Sequence, residues 1–312
     1  MSTAQTLDYG HSAFRAAITW LAYPLFVLLP FAWLTFHIDL ERPGLLVAVA
    51  YVSLLTAGLM EWLHPFAPKW RRSHGDVLTD LAHQVFTSLL AQTLRVFLVV
   101  GFFLLVRHTV EDFAILSWPA HWPMWSQAIL GLVIAEFGDY WRHRLFHAWH
   151  LAWRAHAVHH CSRRVYFLNA NRFQFIDACL ASLAGAIPLA LCGASPEVAA
   201  LVGLFTSLHG PWQHANVHYR LGWLNWIFSG AELHRWHHST TIRECNSNYG
   251  NNLIVFDALF GTRYLPAAPQ DVEQIGLGAY DRRFPQTWWR QQLVPFRWKT
   301  MPGLSAPESP SG

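Results

Sequence analysis

Charged residues are scarce in this chain. Only 13% of its 312 residues are Asp, Glu, Lys or Arg, whereas 53% are apolar. A soluble domain carries about 25% charged residues, so this chain has too few polar groups to cover a surface that faces water on every side. It has no Lys/Arg-rich run and a formal net charge of only +3, which argues against nucleic acid as a partner.

Several common metal-binding motifs are also missing. The four cysteines form no C-x-x-C pair, so the sequence indicates neither a disulfide framework nor an iron–sulfur cluster. The zinc-protease motif H-E-x-x-H does not occur. Glu61-Trp-Leu-His64 is the only Glu-x-x-His sequence, whereas a soluble di-iron carboxylate bundle needs two. Any metal site must therefore be built differently.

Long apolar stretches are present instead. Residues 16–36 run for 21 residues without a charge, enough to cross about 30 Å of hydrocarbon at about 1.5 Å per residue. Residues 44–63, 84–106 and 122–141 are further candidates. The third contains Arg95 near its centre, and this side chain must face protein or water. We predict an all-α integral membrane protein with about four transmembrane helices.

A fifth apolar stretch, residues 176–208, is interrupted by Pro188, Gly193 and Pro196. Its 33 residues are too few for two crossings of about 20 residues each. We therefore predict a short re-entrant helical hairpin that returns to the side it came from. Basic residues follow the second and fourth stretches, whereas the hairpin tip carries Glu197 and no Lys or Arg. The positive-inside rule then places a histidine-rich helical cap on the cytoplasmic side.

Histidine is abundant and clustered. Twelve of the nineteen histidines lie between residues 143 and 238. They form the clusters HRLFH (143–147), HAVHH (156–160), HANVH (214–218) and HRWHH (234–238), each with two histidines four residues apart. On a helix such residues share a face, with Cβ atoms about 5–6 Å apart, so two imidazoles can reach one metal ion. Imidazole binds Fe, Cu, Ni and Zn alike, which leaves the metal open.

A carboxylate precedes the first cluster at the same spacing. Asp139, His143 and His147 follow one another at intervals of four, which predicts that the fourth span continues as a helix beyond the membrane. Asp139 is a candidate for orienting a ligand histidine by accepting a hydrogen bond from it. The alternative is a charge at the end of the helix with no role at the metal.

The order of these motifs resembles that of a known superfamily. The segments are DYWRHRLFH (139–147), HAVHH (156–160), QHANVH (213–218), ELHRWHH (232–238) and NYGNNLIVFDALFGTRYLP (248–266). With them the chain resembles the fatty acid hydroxylase/sterol desaturase superfamily of membrane di-iron oxygenases over about residues 130–266. The resemblance implies two Fe ions as a di-iron centre, O2 as co-substrate, and hydroxylation or desaturation of a lipid C–H bond.

The resemblance also implies a ligand set. Carried over position by position, the ligands are His143, His147, His156, His159, His160, His214, His218, His234, His237 and His238. The third cluster leaves an alternative, since His209 lies five residues before His214 and either His209 or His218 could be a non-ligand.

The resemblance further implies an external electron donor of the cytochrome b5 or ferredoxin type, since the chain carries no haem domain or cofactor loop of its own. The substrate could be a fatty acyl chain, a sterol or an aminolipid such as an ornithine lipid, and the motifs do not separate these. Two other interpretations stay open, a zinc-dependent membrane enzyme and a membrane haem- or metal-binding protein. The compact chain, rich in Ala and Trp, is typical of a bacterial inner-membrane protein.

Three parts are predicted along the chain. Residues 1–130 form N-terminal transmembrane helices, and residues 131–266 form the catalytic domain. Residues 267–312 form an interfacial and disordered C-terminal tail.

Overall fold

A computed structural model describes residues 12–91, 93, 94, 97, 118–267, 272, 274–281 and 283–300. All regular elements in these ranges are helical, apart from three isolated β-bridges, so the prediction of an all-α fold is confirmed. The α-helices are numbered α1 (Ala13–His37), α2 (Pro43–Leu63), α3 (Val77–Ala82), α4 (Met124–Ala148), α5 (His150–His160), α6 (Phe175–Leu191), α7 (Pro196–His214), α8 (Ala231–His237), α9 (Ile242–Cys245), α10 (Val255–Phe260), α11 (Trp288–Gln292) and α12 (Val294–Arg297).

Two described helices are long and apolar enough to cross a membrane, α1 with 25 residues and α2 with 21. The large apolar side chains of Val52, Leu55 and Trp62 on α2 are exposed, as lipid contact requires. α1 widens into a π-helical turn at Pro24–Leu28, where Pro24 has no N–H to donate within the helix. The predicted third span, residues 84–106, lies mostly outside the described residues.

The predicted fourth span is part of α4, a helix of 25 residues. As predicted, it continues past residue 141 and carries His143 and His147. Within it, Glu136 and Asp139 are buried. α4 is not among the described helices that are apolar enough to cross, so a total of four spans and the cytoplasmic location of the cap stay predictions.

The interrupted apolar stretch forms two helices, α6 and α7. Gly193 turns the chain between them with φ 74°, a conformation that favours glycine. Asp177 near the start of α6 contacts His156, and α7 ends at His214. Both outer ends of this helical hairpin therefore lie at the histidine clusters. Its entry into a bilayer stays a prediction.

The main apolar core joins the spans to this hairpin. Leu201, Phe205 and Leu208 of α7 are buried in one cluster with Tyr23 and Val27 of α1. The rings of Phe26 and Trp212 stack with their centroids 5.9 Å apart in the same region. This packing fixes α7, and with it His214, relative to the first span.

Two buried carboxylates tie loops of the cap to the long helices. Glu61 Oε1 at the end of α2 accepts the N–H groups of Phe167 at 2.6 Å and Asn216 at 2.8 Å. Glu136 of α4 accepts the N–H groups of Asn251 at 2.6 Å and Asn252 at 2.9 Å. Buried backbone N–H groups need hydrogen-bond acceptors, and these carboxyl oxygens position the loops around the histidines.

The described part of the C-terminal segment packs on the cap. Phe284, Val294 and Trp298 are buried in one cluster with Ala157 and Val158 of α5. This part of the predicted tail therefore supports the helix that carries three of the clustered histidines. Residues 301–312 lie outside the described residues.

Candidate metal centre

Five histidines from three helices converge in the cap, and we refer to them as the first group. The group consists of His143 and His147 from α4, His156 and His160 from α5, and His237 from α8. One ring nitrogen from each lies within 4.8 Å of those of the other members. The two pairs arise because residues four apart on a helix share a face.

Two backbone carbonyls fix rings of the first group. His143 Nδ1 donates to Tyr249 O at 2.7 Å, and His237 Nδ1 donates to Ser247 O at 2.8 Å. A carbonyl oxygen only accepts, so in each neutral ring Nδ1 carries the proton and Nε2 carries the lone pair. His237 Nε2 is buried without a hydrogen-bond partner among the described residues.

Side-chain oxygens hold two further rings. His156 Nδ1 donates to Asp177 Oδ2 at 2.7 Å, and His147 Nδ1 lies 3.2 Å from Asn246 Oδ1. This is the arrangement of metal-ligating histidines, in which the outer nitrogen donates to an oxygen while the inner one binds the ion. In the described part of the structure, His147 Nε2 is also buried without a partner.

The thiol of Cys245 lies at the edge of the first group. Its Sγ is 3.9 Å from His147 Nδ1 and 4.0 Å from His160 Nδ1. Burial raises the pKa of this thiol to about 12, and its sulfur faces the outer Nδ1 atoms of these two rings.

The inward nitrogens of the first group lie too close together for a metal-free arrangement. His143 Nε2 and His156 Nε2 are 2.9 Å apart, and His160 Nε2 is 3.3 Å from His156 Nε2. His143 and His156 both present lone pairs there, and two lone pairs form no hydrogen bond. A bound cation would remove the conflict, because both lone pairs would then point at the ion instead of at each other.

Four other histidines form a second group, with ring nitrogens again within 4.8 Å of one another. They are His159 of α5, His214 of α7, His234 of α8 and His238 directly after α8, and all four are buried. His234 Nε2 lies 2.8 Å from His214 Nε2 and 3.0 Å from His238 Nε2. His214 Nδ1 is held at 2.9 Å by Asn169 Oδ1.

Burial keeps these rings neutral. It lowers the pKa of His156, His160 and His238 well below the usual range, and the neighbouring histidines add to the effect. Protonation would remove the lone pair that binds a metal. At neutral pH the groups therefore present imidazole lone pairs to buried spaces.

Both groups fit a divalent metal ion. They contain nine of the ten histidines predicted as ligands, and neither includes a carboxylate or a cysteine within the part of the chain that the structure describes. Neutral imidazole suits several divalent transition metals. The buried inward nitrogens of His147 and His237, which have no protein partner in this part, would be satisfied by such an ion.

His218, the tenth predicted ligand, lies apart from both groups. The centroid of its ring is 5.2 Å from that of His64, and the ring stacks on Phe66. α7 ends at His214, so His218 does not share a helical face with it. The structure therefore does not bring this histidine to the other nine.

His209, the alternative, also lies outside both groups. Its Nδ1 is 2.7 Å from the hydroxyl of Tyr23, and its Nε2 is 3.1 Å from Ser229 O. Both ring nitrogens thus have protein partners. Among the described groups the third cluster contributes His214 alone.

Asp139 reaches the first group through two other side chains. Its Oδ1 accepts from Arg142 Nε at 2.7 Å, and Arg142 Nη1 donates to Asp177 Oδ1 at 2.8 Å. Asp177 is the carboxylate that accepts from His156. Within the described contacts it is Asp177, rather than Asp139, that accepts a hydrogen bond from a clustered histidine, and Asp139 holds Arg142 beside it.

The residues that hold the rings from outside were not predicted from the sequence. Asp177 had a signal, because a carboxylate at the start of an apolar stretch marks a functional position. Asn169 lies in no histidine cluster. Tyr249 and Ser247 act through their carbonyl groups, which carry no side-chain signature.

Comparison with known proteins agrees with this site. The family model described as fatty acid hydroxylase matches residues 128–262. Ornithine lipid hydroxylase OlsE of Rhizobium tropici is 37% identical over 84% of this chain and 80% of its own length. Alkylglycerol monooxygenase of Xenopus tropicalis is 35% identical, over 47% of this chain and 32% of that protein.

Methylsterol monooxygenase 2-2 of Arabidopsis thaliana is more distant, at 25% identity over 45% of this chain and 54% of its own length. No solved structure gives a significant match. The family match spans α4 to α10 and so covers both histidine groups. The chain belongs to the fatty acid hydroxylase family of oxidoreductases.

Proposed function

We propose that this chain hydroxylates a C–H bond of a membrane lipid, using O2, two iron ions and electrons from a separate donor. The observation that carries the proposal is the pair of buried histidine groups, in which nine imidazole nitrogens converge on two places. An all-imidazole site also admits zinc, so iron is supported by membership of the family.

Two bound iron ions would supply the reduction of O2 and the oxidation of the C–H bond. The residues of the chain would hold these ions in place and keep water away from them. His143 and His156 are aimed inward by Tyr249 O and Asp177. Their burial excludes bulk water, which protects a reactive site from side reactions.

Hydroxylation fixes how many electrons the reaction needs from outside. Inserting one oxygen atom into R–H gives R–OH, and the second atom of O2 leaves as water. The conversion R–H + O2 + 2e⁻ + 2H⁺ → R–OH + H2O needs two electrons from outside, because the lipid supplies only two of the four that O2 takes up. An external one-electron carrier is therefore part of the proposal.

An ornithine lipid is the substrate that we propose first. The relative named ornithine lipid hydroxylase is similar to this chain over most of the length of both proteins. The apolar helices α1 and α2 are suited to the bilayer, from which such a lipid would enter. We place the enzyme in the inner membrane of a bacterium, with the histidine cap facing the cytoplasm.

The test is expression in bacterial cells that make ornithine lipids but lack their hydroxylated forms. Under 18O2 we expect ornithine lipids that contain one 18O atom, identified by mass spectrometry of lipid extracts. The double variant His159→Ala/His160→Ala changes one ligand in each group and should abolish the product. His121→Ala changes an exposed histidine and should leave it unchanged.

Other outcomes would redirect or reject the proposal. Lipids two hydrogen atoms lighter would show desaturation, and hydroxylation of another lipid class would replace the ornithine lipid. A product formed equally well without O2, by protein that contains zinc and no iron, would reject the oxygenase. Full activity of the double histidine variant would reject the assignment of the two groups.

A further inference from the structure

A groove with a volume of about 330 Å3 lies on the cap, outside both histidine groups. We refer to it as the basic groove. Its walls are formed by Lys69, Trp70, His74, Arg163, Gln274, Ile275 and Asp281. The groove has no role in the metal binding or the lipid oxidation proposed above.

One wall of the basic groove is bonded directly to the second histidine group. The N–H of Gly276, next to Ile275, donates to His238 O at 3.2 Å. Ser239, the residue after His238, forms an antiparallel β-bridge with Ile275. A short path of covalent and hydrogen bonds thus leads from the groove to a ligand of the second group.

A shared apolar cluster connects the same groove to the first group. Trp70 forms part of the groove and is buried in one apolar cluster with Trp236. Trp236 is covalently linked to His237, which belongs to the first group. Electron transfer through protein is fastest along short bonded and packed paths, and both groups have such a path to this surface.

The charge of the groove selects the partner. Lys69 and Arg163 are exposed, as are Arg71 and Arg72 directly after Trp70. Among the described residues of the wall, Asp281 is the one carboxylate against the two basic side chains of Lys69 and Arg163. A surface with this excess of positive charge attracts an acidic partner and speeds its docking.

We propose that the basic groove is the docking surface for a small, acidic, one-electron carrier protein. The inference rests on the proposed function, which needs two electrons per turnover. The carrier docks in its reduced form, loses one electron to a histidine-bound metal and leaves oxidised, so two docking events serve each hydroxylation. Electron-transfer encounters have small interfaces, which a groove of this volume can supply.

The experiment uses the full-length, iron-loaded enzyme in lipid nanodiscs with its lipid substrate and O2. The probes are two reduced acidic carriers, a plant-type [2Fe–2S] ferredoxin and the soluble domain of cytochrome b5. For Lys69→Glu/Arg163→Glu we expect carrier oxidation to slow by about 10-fold or more, as steering by charge predicts. Added salt should slow the wild type and have little effect on the variant.

Two controls separate docking from catalysis. Arg243→Glu reverses an exposed charge on α9 that does not line the groove, and it should oxidise both carriers at the wild-type rate. Dithionite replaces the carrier, so the double variant should form as much product as the wild type when dithionite supplies the electrons. A loss with dithionite as well would show damage to the metal sites and overturn the docking role.

Three further results would overturn the proposal. The first is that the double variant oxidises the carriers at the wild-type rate. The second is that the wild type, although active with dithionite, oxidises neither carrier. The third is that the only defect of the double variant is weaker binding to vesicles containing anionic lipid. The last would make the groove a membrane contact. If wild type with dithionite forms no hydroxylated lipid, the proposed function itself fails.

Discussion

Asp177 Oδ2 accepts a hydrogen bond from His156 Nδ1 at 2.7 Å, while Asp177 Oδ1 accepts one from Arg142 at 2.8 Å. Both donors require an oxygen, so the amide of an Asp177→Asn variant can satisfy only one of them. We expect that variant to bind metal in the first group about 10–100-fold more weakly. Competition with a chelator, followed by metal analysis, measures the change.

Asp139→Asn is the matched control for this prediction. Asp139 holds Arg142 rather than a histidine, so its amide should weaken metal binding less than Asp177→Asn does. Equal losses in both variants would mean that the ion-pair network as a whole, and not the acceptor for His156, determines the affinity.

The second group should lose its metal first. Its members His234 and His238 each have a buried Nδ1 atom without a hydrogen-bond partner among the described residues. In the first group, by contrast, the Nδ1 atoms of His143 and His156 donate to oxygen atoms. Because outer partners orient ligands and strengthen metal binding, a chelator should remove iron from the full protein in a fast and a slow phase.

Ligand variants assign these two phases. His143→Ala damages the first group, so the iron that this variant still holds in the second group should leave in the fast phase. In His234→Ala the remaining iron should leave in the slow phase. A single phase in the wild type, or the reverse assignment, would contradict the prediction.

The spacing of the histidines predicted which of them lie together where they lie on helices. The pairs at 143/147, 156/160 and 234/238 share a helical face or its direct continuation, and each pair falls into one group. The spacing rule fails at His218, because α7 has ended four residues earlier. A spacing of four residues carries information only while the helix lasts.

The division of the histidines into two groups could not be predicted from the sequence. His159 and His160 are neighbours in the chain but belong to different groups, and the same holds for His237 and His238. Successive residues on a helix point about 100° apart, so each adjacent pair serves two places at once. Which place each ring joins depends on the packing of α4, α5, α7 and α8, which local spacing does not encode.

Close packing of α4 against α6 should be essential for the first group. A Cβ atom on Gly138 would lie 2.0 Å from the backbone oxygen of Ala184, and a backbone atom of a packed helix cannot move aside. Gly138→Ala should therefore separate the helices that carry His143 and Asp177. Overpacking of this kind costs about 1–3 kcal/mol, so we expect a lower melting temperature and less bound iron.

A second glycine in the same interface provides the control. A Cβ atom on Gly185 would lie 3.3 Å from the side-chain carbon of Ala135, a contact that a shift of a few tenths of an ångström relieves. Gly185→Ala should thus keep most of the stability and the iron. If both variants behave alike, the approach at Gly138 is not what limits the position of Asp177.

His64 should make stability depend on pH. Its Nε2 lies 3.0 Å from the hydroxyl of Thr19, which joins the end of α2 to α1. Burial, followed by the charges of His218 and Arg15, lowers the pKa of His64 from 6.5 to about 4. Between these values the unfolded chain binds a proton that the folded protein does not. The stabilisation is therefore complete above pH 6.5 and is lost as the pH falls toward 4.

Thermal unfolding in detergent between pH 7 and pH 4.5 tests this. Because other buried histidines also contribute to the pH dependence of the wild-type melting temperature, a variant is needed to isolate the contribution of His64. His64→Gln keeps a donor toward Thr19 but cannot take up a proton. Its melting temperature should therefore fall less with decreasing pH than that of the wild type. The exposed His121→Gln should follow the wild type. Parallel curves for wild type and His64→Gln would show that His64 titrates alike in the folded and unfolded chain and would contradict the prediction.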